Sequence, residues 1–189
     1  MINYYIHETS IVDENVHIGE HSKIWHWSHI SKNVFIGSNC NIGQNIYIGE
    51  DVKIGNSVKI QNNVSIYSGV KINDFVFCGP NVTFTNDLNP RSEYSKNKKF
   101  IKTFVDTGST IGANSTIICG ITLGKYCFIG AGSVVTKDVK PYSLALGNPA
   151  KHLYWVSRAA QKLVFKDNKA YCLKSNTKYK IENDQCVIL

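Results

Sequence analysis

The chain has 189 residues, of which 43% are apolar and 19% charged. That suits one folded domain with a short appendage and excludes disorder over most of the length. Lys and Arg number 21 against 14 Asp and Glu, a formal charge of +7 that favours anionic ligands without choosing among them. No apolar run reaches the roughly 18 residues of a membrane span, and residues 1–5 carry no basic-then-apolar leader. No membrane insertion and no signal peptide are therefore expected, and the cytoplasm is the expected location.

From Ile6 onward every sixth residue is apolar. The series runs Ile6, Val12, Ile18, Ile24, Ile30, Ile36, Ile42, Ile48, Ile54, Ile60, Ile66, Ile72, Cys78 and Phe84. At this apolar content chance agreement is on the order of one in 10⁵. A second series follows four residues after each member, as at Val16, Val34, Cys40, Ile46, Val52, Val58, Val64, Val70, Val76 and Val82. A period of six does not fit the 3.6-residue turn of a helix. β-Branched residues alternating with Gly and Asn corners fit short strands joined by tight turns. Repeated hexapeptides of this kind predict an all-β chain, a parallel β-helix solenoid. Three hexapeptides make one coil of 18 residues, and coils stack about 4.8 Å apart.

The series breaks after Phe84 and resumes as Val105, Ile111, Ile117, Leu123, Ile129 and Val135. The 21-residue step from Phe84 to Val105 is not a multiple of six. A loop over 85–104 is expected to project from one corner, and such excursions from rigid repeats carry function. Within it Lys96, Lys98, Lys99 and Lys102 form a basic cluster, either a solvated loop or a ligand contact. The period fades after Pro141. The solenoid is expected over 1–155, with an appendage over 156–189. A short helix is predicted over Val156 to Phe165, capped by Ser157. A small hairpin is predicted beyond residue 170, turning near Asn176 and Asn183-Asp184.

Residues 18 apart share a corner. Asn45, Asn63 and Asn81 form one ladder, with Gln44 and Asn62 beside it. Asn tolerates left-handed corners and stacked amides bond one another, so a structural role competes with ligand binding here. Ala113 and Ala131 also stack, and small residues there leave backbone N–H groups open to a ligand. Six cysteines, Cys40, Cys78, Cys119, Cys127, Cys172 and Cys186, include no C-x-x-C pair and read as free thiols. Those in the repeats read as core residues. Among the histidines, His21 and His26 suggest a zinc site as in some hexapeptide carbonic anhydrases. Positions 39, 57, 44 and 62, where a stacked third ligand would lie, are Asn, Ser, Gln and Asn, so no metal is expected.

The hexapeptides, the corner loop, the run Gly130-Ala131-Gly132-Ser133-Val134-Val135-Thr136-Lys137-Asp138-Val139 and the later Gly147-Asn148-Pro149-Ala150-Lys151 together resemble the left-handed β-helix acyltransferases. The resemblance implies the left-handed coil, against the usual right-handed crossover. It also implies a homotrimer with sites between subunits and acetyl-CoA or another acyl-CoA as co-substrate. Lys59-Ile60-Gln61-Asn62-Asn63-Val64-Ser65-Ile66-Tyr67, Val76-Phe77-Cys78-Gly79-Pro80 and Phe84-Thr85-Asn86-Asp87-Leu88-Asn89-Pro90-Arg91-Ser92 resemble N-acetyltransferases of nucleotide-linked 3-amino sugars, over residues 5 to 160. Ile24-Trp25-His26-Trp27 and Gly43-Gln44-Asn45 look like the branch acting on UDP-linked 2-acetamido-3-amino uronic acids. Gly79-Pro80-Asn81-Val82-Thr83-Phe84-Thr85-Asn86-Asp87 is shared with the branch acting on dTDP-3-amino-3,6-dideoxyhexoses.

The resemblance implies that Asn86 holds the sugar amine, with a turn-capping Asn as the competing reading. Gln44, Asn62 and Asn63 are candidates for contacts to the sugar. Arg91 offers a bidentate fork to a diphosphate or a sugar carboxylate, or an ion pair to Glu93. Trp25 and Trp27 either stack on a base or pack at the blunt end of the solenoid. For CoA the resemblance implicates Ala113, Ala131 and Gly132 through the backbone, Lys137 and Lys151 toward phosphates, and Pro149 toward the adenine. No His lies between His29 and His152, which argues against activating a hydroxyl at this loop. A sugar amine with a pKa of about 8 is partly neutral at pH 7 and can attack a thioester once held in line. The resemblance thus implies N-acetyl transfer in surface-polysaccharide biosynthesis, and the missing histidine is consistent with an amine acceptor. A non-catalytic assembly module and acyl transfer to another small acceptor are the alternatives. Nucleic acid is not an expected partner, since only Tyr94 and Phe100 interleave the basic loop.

Overall fold

The computed structural model describes residues 3–94 and 100–189. Lys96, Lys98 and Lys99 of the basic cluster lie outside the described residues, and Lys102 is exposed. Between Tyr5 and Val135 the described residues coil into a parallel β-solenoid whose two- and three-residue strands stack into three faces. Face 1 carries Tyr5–Ile6, Lys23–Ile24, Asn41–Ile42, Lys59–Ile60, Phe77–Cys78, Thr110–Ile111 and Phe128–Ile129. Face 2 carries Ile11–Val12, His29–Ile30, Tyr47–Ile48, Ser65–Ile66, Thr83–Phe84, Thr116–Ile117 and Val134–Val135. Face 3 begins at His17–Ile18 and ends at Thr122–Leu123.

Pairing is in register at 18 residues, as in Ile24 opposite Ile42 and Ile42 opposite Ile60. Each strand therefore sends its second residue inward. From Ile24 to Phe84 every member of the six-residue series is 0–1% exposed. The axial column is one continuous hydrophobic core, which no coil could bury alone.

The second series has gaps at Ser22 and Ser28, where the sequence shows no apolar residue. Both serines are buried, at 0% and 1% exposure. Ser22 Oγ donates to the Gly37 carbonyl at 2.7 Å and accepts from the Cys40 N–H at 3.0 Å. Ser28 does the same with Gly43 and Ile46. Each hydroxyl thus ties its coil to the next. Ser22→Ala leaves the Gly37 carbonyl and the Cys40 N–H without this partner in a dry corner and is expected to cost about 1–3 kcal/mol. Urea unfolding checks this; an unchanged midpoint would remove the hydroxyl from the account.

Across the break, the pairing offset jumps from 18 to 33 residues, as Lys71 pairs with Lys53 on one side and with Phe104 on the other. The 33 − 18 = 15 extra residues are extruded between faces 2 and 3. Thr103 and Phe104 are not loop, as the sequence suggested, but belong to the strand Thr103–Val105, opposite Val70 and Lys71. Val105 is the inward residue of an ordinary coil, and its outward neighbour comes with it.

The predicted helix over Val156 to Phe165 does not form, and no helix occurs among the described residues. Ser157 does cap, its Oγ accepting from the N–H groups of Ala159 and Gln161. The turn stops at Ala160, which takes a left-handed φ of 56°. Leu163 then donates its N–H to the Trp155 carbonyl, beside the antiparallel bridge from Val156 to Lys162. Burial of Leu163 against Tyr142 and Tyr179 outweighs helix propensity.

Beyond residue 168 a three-stranded antiparallel meander, Lys169–Cys172, Thr177–Glu182 and Gln185–Ile188, replaces the expected single hairpin. Its turns fall where the sequence placed them. Asn183 and Asp184 take φ values of 49° and 55°, as a two-residue hairpin turn requires. Tyr179 is fully buried against Tyr142 at a centroid distance of 5.6 Å. Lys140 pairs with Asp184 across the junction with the solenoid.

The cysteines divide by environment. All six are free and buried. Burial pushes Cys78, Cys127 and Cys186 up to about 12. At Cys172 burial also opposes the thiolate, but the hydroxyls of Ser157 and Ser175 and the N–H groups of Ser175 and Lys174 outweigh it, leaving about 7. Cys172 Sγ lies 3.1 Å from Ser157 Oγ. A lowered thiol pKa adds stability above the unfolded value of about 8.5, and that stability is lost as pH falls through 7. At pH 8 a small alkylating agent is expected to label Cys172 before Cys78, Cys127 or Cys186. Peptide mapping reads the order, and first labelling at Cys186 would contradict it.

Candidate active site

The corner between faces 1 and 2 collects most of the candidate residues. Asn45, Asn63, Asn81 and Asn114 occupy its left-handed positions with φ of 56–61°, and Gly132 continues them at 70°. Asn45 Nδ2 donates to Asn63 Oδ1 at 2.9 Å, and Asn81 Nδ2 donates to Asn114 Oδ1 at 3.0 Å. One residue earlier on each coil, Asn62 Oδ1 accepts from the Gln44 N–H at 3.1 Å. Gln44, Asn62 and Asn63 are therefore neighbours on one exposed edge, and the side chains of Asn62 and Asn63 also bridge coils.

Higher on the same edge stand Ala113 and Ala131. The glycines beneath them are required by close approach. A Cβ on Gly112 would meet the Ala131 nitrogen at 2.4 Å, and one on Gly79 would meet the Ala113 nitrogen at 2.6 Å, so the coils approach as closely as glycine allows. The Gly132 N–H is donated to the Ala113 carbonyl at 2.7 Å. Nothing lies within 4 Å of where a Gly132 side chain would start. The edge ends in a bare ledge.

The hairpin Ser143–Gly147 and Ala150–Trp155 covers the end of this ledge. The Gly147 N–H donates to Ser133 Oγ at 3.2 Å, and that hydroxyl donates to the Gly130 carbonyl at 2.6 Å. Pro149 lies at the exposed tip of this hairpin, two residues beyond the Gly147 that is tied to Ser133. The two lysines part company. Lys137 lines a cavity of about 270 Å³ with Lys140, Ser143, Ala150, His152 and Trp155. Lys151 lies between Ala150 and His152 on the same strand and belongs to its opposite side. The sequence reading missed His152 as a partner in this cavity. Its Nδ1 is 2.6 Å from Ser143 Oγ, and burial holds its pKa below the usual histidine value, reinforced by Lys140. An 18-residue rule could not find it, because the hairpin has left the repeat.

Asn86 and Arg91 stand at the next corner, between faces 2 and 3. The loop neck is fixed on both sides. Thr85 Oγ1 accepts from the Cys119 N–H at 3.0 Å, and Thr103 Oγ1 accepts from the Gly120 N–H at 3.2 Å. The Asn86 carbonyl accepts from the Ile101 N–H at 3.1 Å. Asn86 is half-buried at this clamp, whereas Arg91 is exposed farther out. Among the described residues Arg91 makes no ion pair with Glu93. Five residues of extended chain, about 16 Å, separate Asn86 from the Asn81 corner. One chain thus does not bring Asn86 against Gln44, Asn62 and Asn63.

The N-terminal aromatics pack on each other. Trp25 Nε1 donates to Asn41 Oδ1 at 2.9 Å, and its ring lies 5.5 Å from Tyr5. His26 stacks on His7 at 3.5 Å. Among the described residues no group of three or more His, Cys, Asp or Glu is placed to hold a metal ion. No helix there is long and apolar enough to cross a membrane.

This solenoid with an extruded corner loop is a hexapeptide-repeat architecture. Residues 103–137 match the family described as bacterial transferase hexapeptide (six repeats), and residues 33–68 match the hexapeptide repeat of succinyl-transferase. The chain resembles N-acetyltransferases of amino sugars. It is 48% identical over 75 residues to dTDP-3-amino-3,6-dideoxy-alpha-D-galactopyranose 3-N-acetyltransferase of Aneurinibacillus thermoaerophilus, covering 40% of this chain. That match spans about two fifths (39%) of the relative's own length. A galactoside acetyltransferase solved with coenzyme A superposes with a TM-score of 0.57 at 26% identity, over 78% of this chain and 72% of that one. GDP-perosamine N-acetyl transferase of Caulobacter crescentus shares the fold, with a TM-score of 0.55 at 21% identity, over 78% of this chain and 55% of that one.

Proposed function

We propose that the protein is an acetyl-CoA-dependent N-acetyltransferase acting on the 3-amino group of a nucleotide-linked amino sugar. The observation that carries this reading is the Thr85-Asn86 neck. It is a rigid polar turn without a histidine, set on a hexapeptide scaffold like that of a relative that acetylates such an amine. The bare Ala113, Ala131 and Gly132 ledge suits the backbone-hugging thioester arm of acetyl-CoA, as expected from the likeness to a coenzyme A complex.

In this account the Asn86 side-chain carbonyl accepts an N–H from the sugar amine and turns the lone pair toward the thioester. The amine nitrogen bonds to the acetyl carbon, the C–S bond breaks, and the amine proton leaves to the CoA thiolate or to water. A backbone N–H of the ledge stabilises the oxyanion. Asn86 and the ledge occupy different corners of one chain, so the site joins a corner from each of two copies in a homotrimer. Gln44, Asn62, Asn63 and Arg91 face the sugar and its phosphates. Lys137, Pro149 and Lys151 face CoA, although the separation of the two lysines favours only one of them at any single phosphate.

Release of free thiol from acetyl-CoA tests the reading with two acceptors. One is a dTDP-linked 3-amino-3,6-dideoxyhexose, the acceptor class of the bacterial relative. The other is the UDP-linked 2-acetamido-3-amino uronic acid suggested by Ile24-Trp25-His26-Trp27 and Gly43-Gln44-Asn45. Turnover of either supports the enzyme and selects the corresponding branch; the product, an N-acetylated nucleotide sugar, is the form of donor that surface-polysaccharide synthesis would consume. Silence on both with coenzyme A still bound would discard the acceptor.

A further inference from the structure

We infer that the outward column His29, Tyr47 and Tyr67 is the platform for the nucleobase of the acceptor, an inference that rests on the function proposed above. The three residues climb toward the loop. His29 pairs in register with Tyr47, and Tyr47 pairs in register with Ser65, two residues before Tyr67. Tyr67 stands 18 residues before Thr85, one rung beneath the loop neck. The rings form a chain, with centroids 5.8 Å apart for His29 and Tyr47 and 5.4 Å apart for Tyr47 and Tyr67. Tyr67 is 41% exposed, and Tyr47 and His29 are half-buried.

Three features of the column fit a nucleotide. The first is length. Three rungs separate Thr85 from His29, about 14 Å along the axis, and an extended nucleotide sugar spans a comparable distance. With the amine at Asn86, the base arrives at Tyr47 and His29. The second is chemistry. The rings are inclined to one another, at 65° for His29 and Tyr47 and 55° for Tyr47 and Tyr67, so each can offer a face or an edge to a base, while the column also carries polar tips that an apolar subunit contact would not need. Asp13 holds His29 through Nε2, with its two oxygens at 3.2 and 3.1 Å. That contact ties the imidazole down through one ring nitrogen. The third is charge. The chain carries a formal net charge of +7, which favours a diphosphate-linked acceptor. Trp25 is less suited, because its N–H is spent on Asn41 and its ring lies against Tyr5 at the far end of the solenoid from the loop.

The test titrates UDP and dTDP into the full-length protein by calorimetry and measures steady-state acetyl transfer in parallel. The proteins are wild type, Tyr47→Ala, Tyr67→Ala and Tyr47→Phe. Tyr47→Ala is expected to weaken nucleoside diphosphate binding about tenfold or more and to raise the acceptor KM by a similar factor. The KM for acetyl-CoA stays level, and Tyr47→Phe retains the wild-type affinity because the ring face remains. Nucleoside diphosphate affinity unchanged in both alanine variants, with melting curves intact, would overturn the inference while leaving acetyl transfer standing. So would dissociation of the oligomer in Tyr47→Ala, which would mark the column as a subunit contact. Failure of the wild type to bind either nucleotide overturns it as well. Tyr47-dependent nucleotide binding without any thiol release would instead uphold the platform and sink the transferase reading.

Discussion

Replacing Asn86 by Ala is expected to lower kcat for amine acetylation about a hundredfold, with the melting temperature and the KM for acetyl-CoA unchanged. The neck that carries Asn86 is held by main-chain and threonine contacts. Its carbonyl, not its side chain, accepts from Ile101, and Thr85 and Thr103 clamp the two loop strands to Cys119 and Gly120. Those contacts survive the truncation, so the variant separates positioning of the amine from folding of the loop. An amine needs orientation more than it needs a base, and a misaligned nucleophile loses much of its effective concentration. Asn86→Asp keeps the accepting oxygen and adds a charge beside the amine, so part of the rate returns. Equal kcat values for Asn86→Ala and wild type would confine Asn86 to its turn and remove it from the mechanism.

Ile60→Ala is expected to destabilise the protein by about 2–5 kcal/mol, the usual range for emptying a buried isoleucine site. Ile60 is fully buried midway along the axial column, between Ile42 and Cys78 in register. The rigid ladder bonds on both sides prevent neighbouring coils from closing over the void, which places the loss high in that range. Chemical unfolding of the assembled protein reads the change. A loss below about 1 kcal/mol would mean that the coils relax into the gap, contrary to a column set by backbone register.

The solenoid was legible because its rule is local and repeated. Each coil needs an inward apolar residue every six positions, and one continuous buried column takes in nearly every instance. The serines at 22 and 28 look like lapses in the pattern, yet they are buried hydrogen-bonding ties between coils. The helix expected at Val156 failed because its apolar residues answer to Tyr142 and Tyr179, which lie outside the window that suggested it. The C-terminal turns were legible because Asn183 and Asp184 accept left-handed conformations.

The site was legible only in part. Stacking arithmetic gathered Gln44, Asn62 and Asn63 on one edge with Ala113, Ala131 and Gly132 above them. It could not show that Asn86 belongs to the next corner, because the sequence does not display the width of a face. Nor could it separate Lys137 from Lys151, since their sides are set by a hairpin outside the repeat. His152 and the His29, Tyr47 and Tyr67 column carry no motif. The structure finds them through a cavity and through register.

The central claim is transfer of an acetyl group to nitrogen without an imidazole at the loop. It is tested most directly by thiol release with a nucleotide-linked 3-amino sugar and with the matching sugar that carries a hydroxyl at that carbon. The account predicts turnover of the amine and none of the alcohol at neutral pH. Comparable turnover of the alcohol would require a base that the Thr85-Asn86 neck does not contain, and would contradict it.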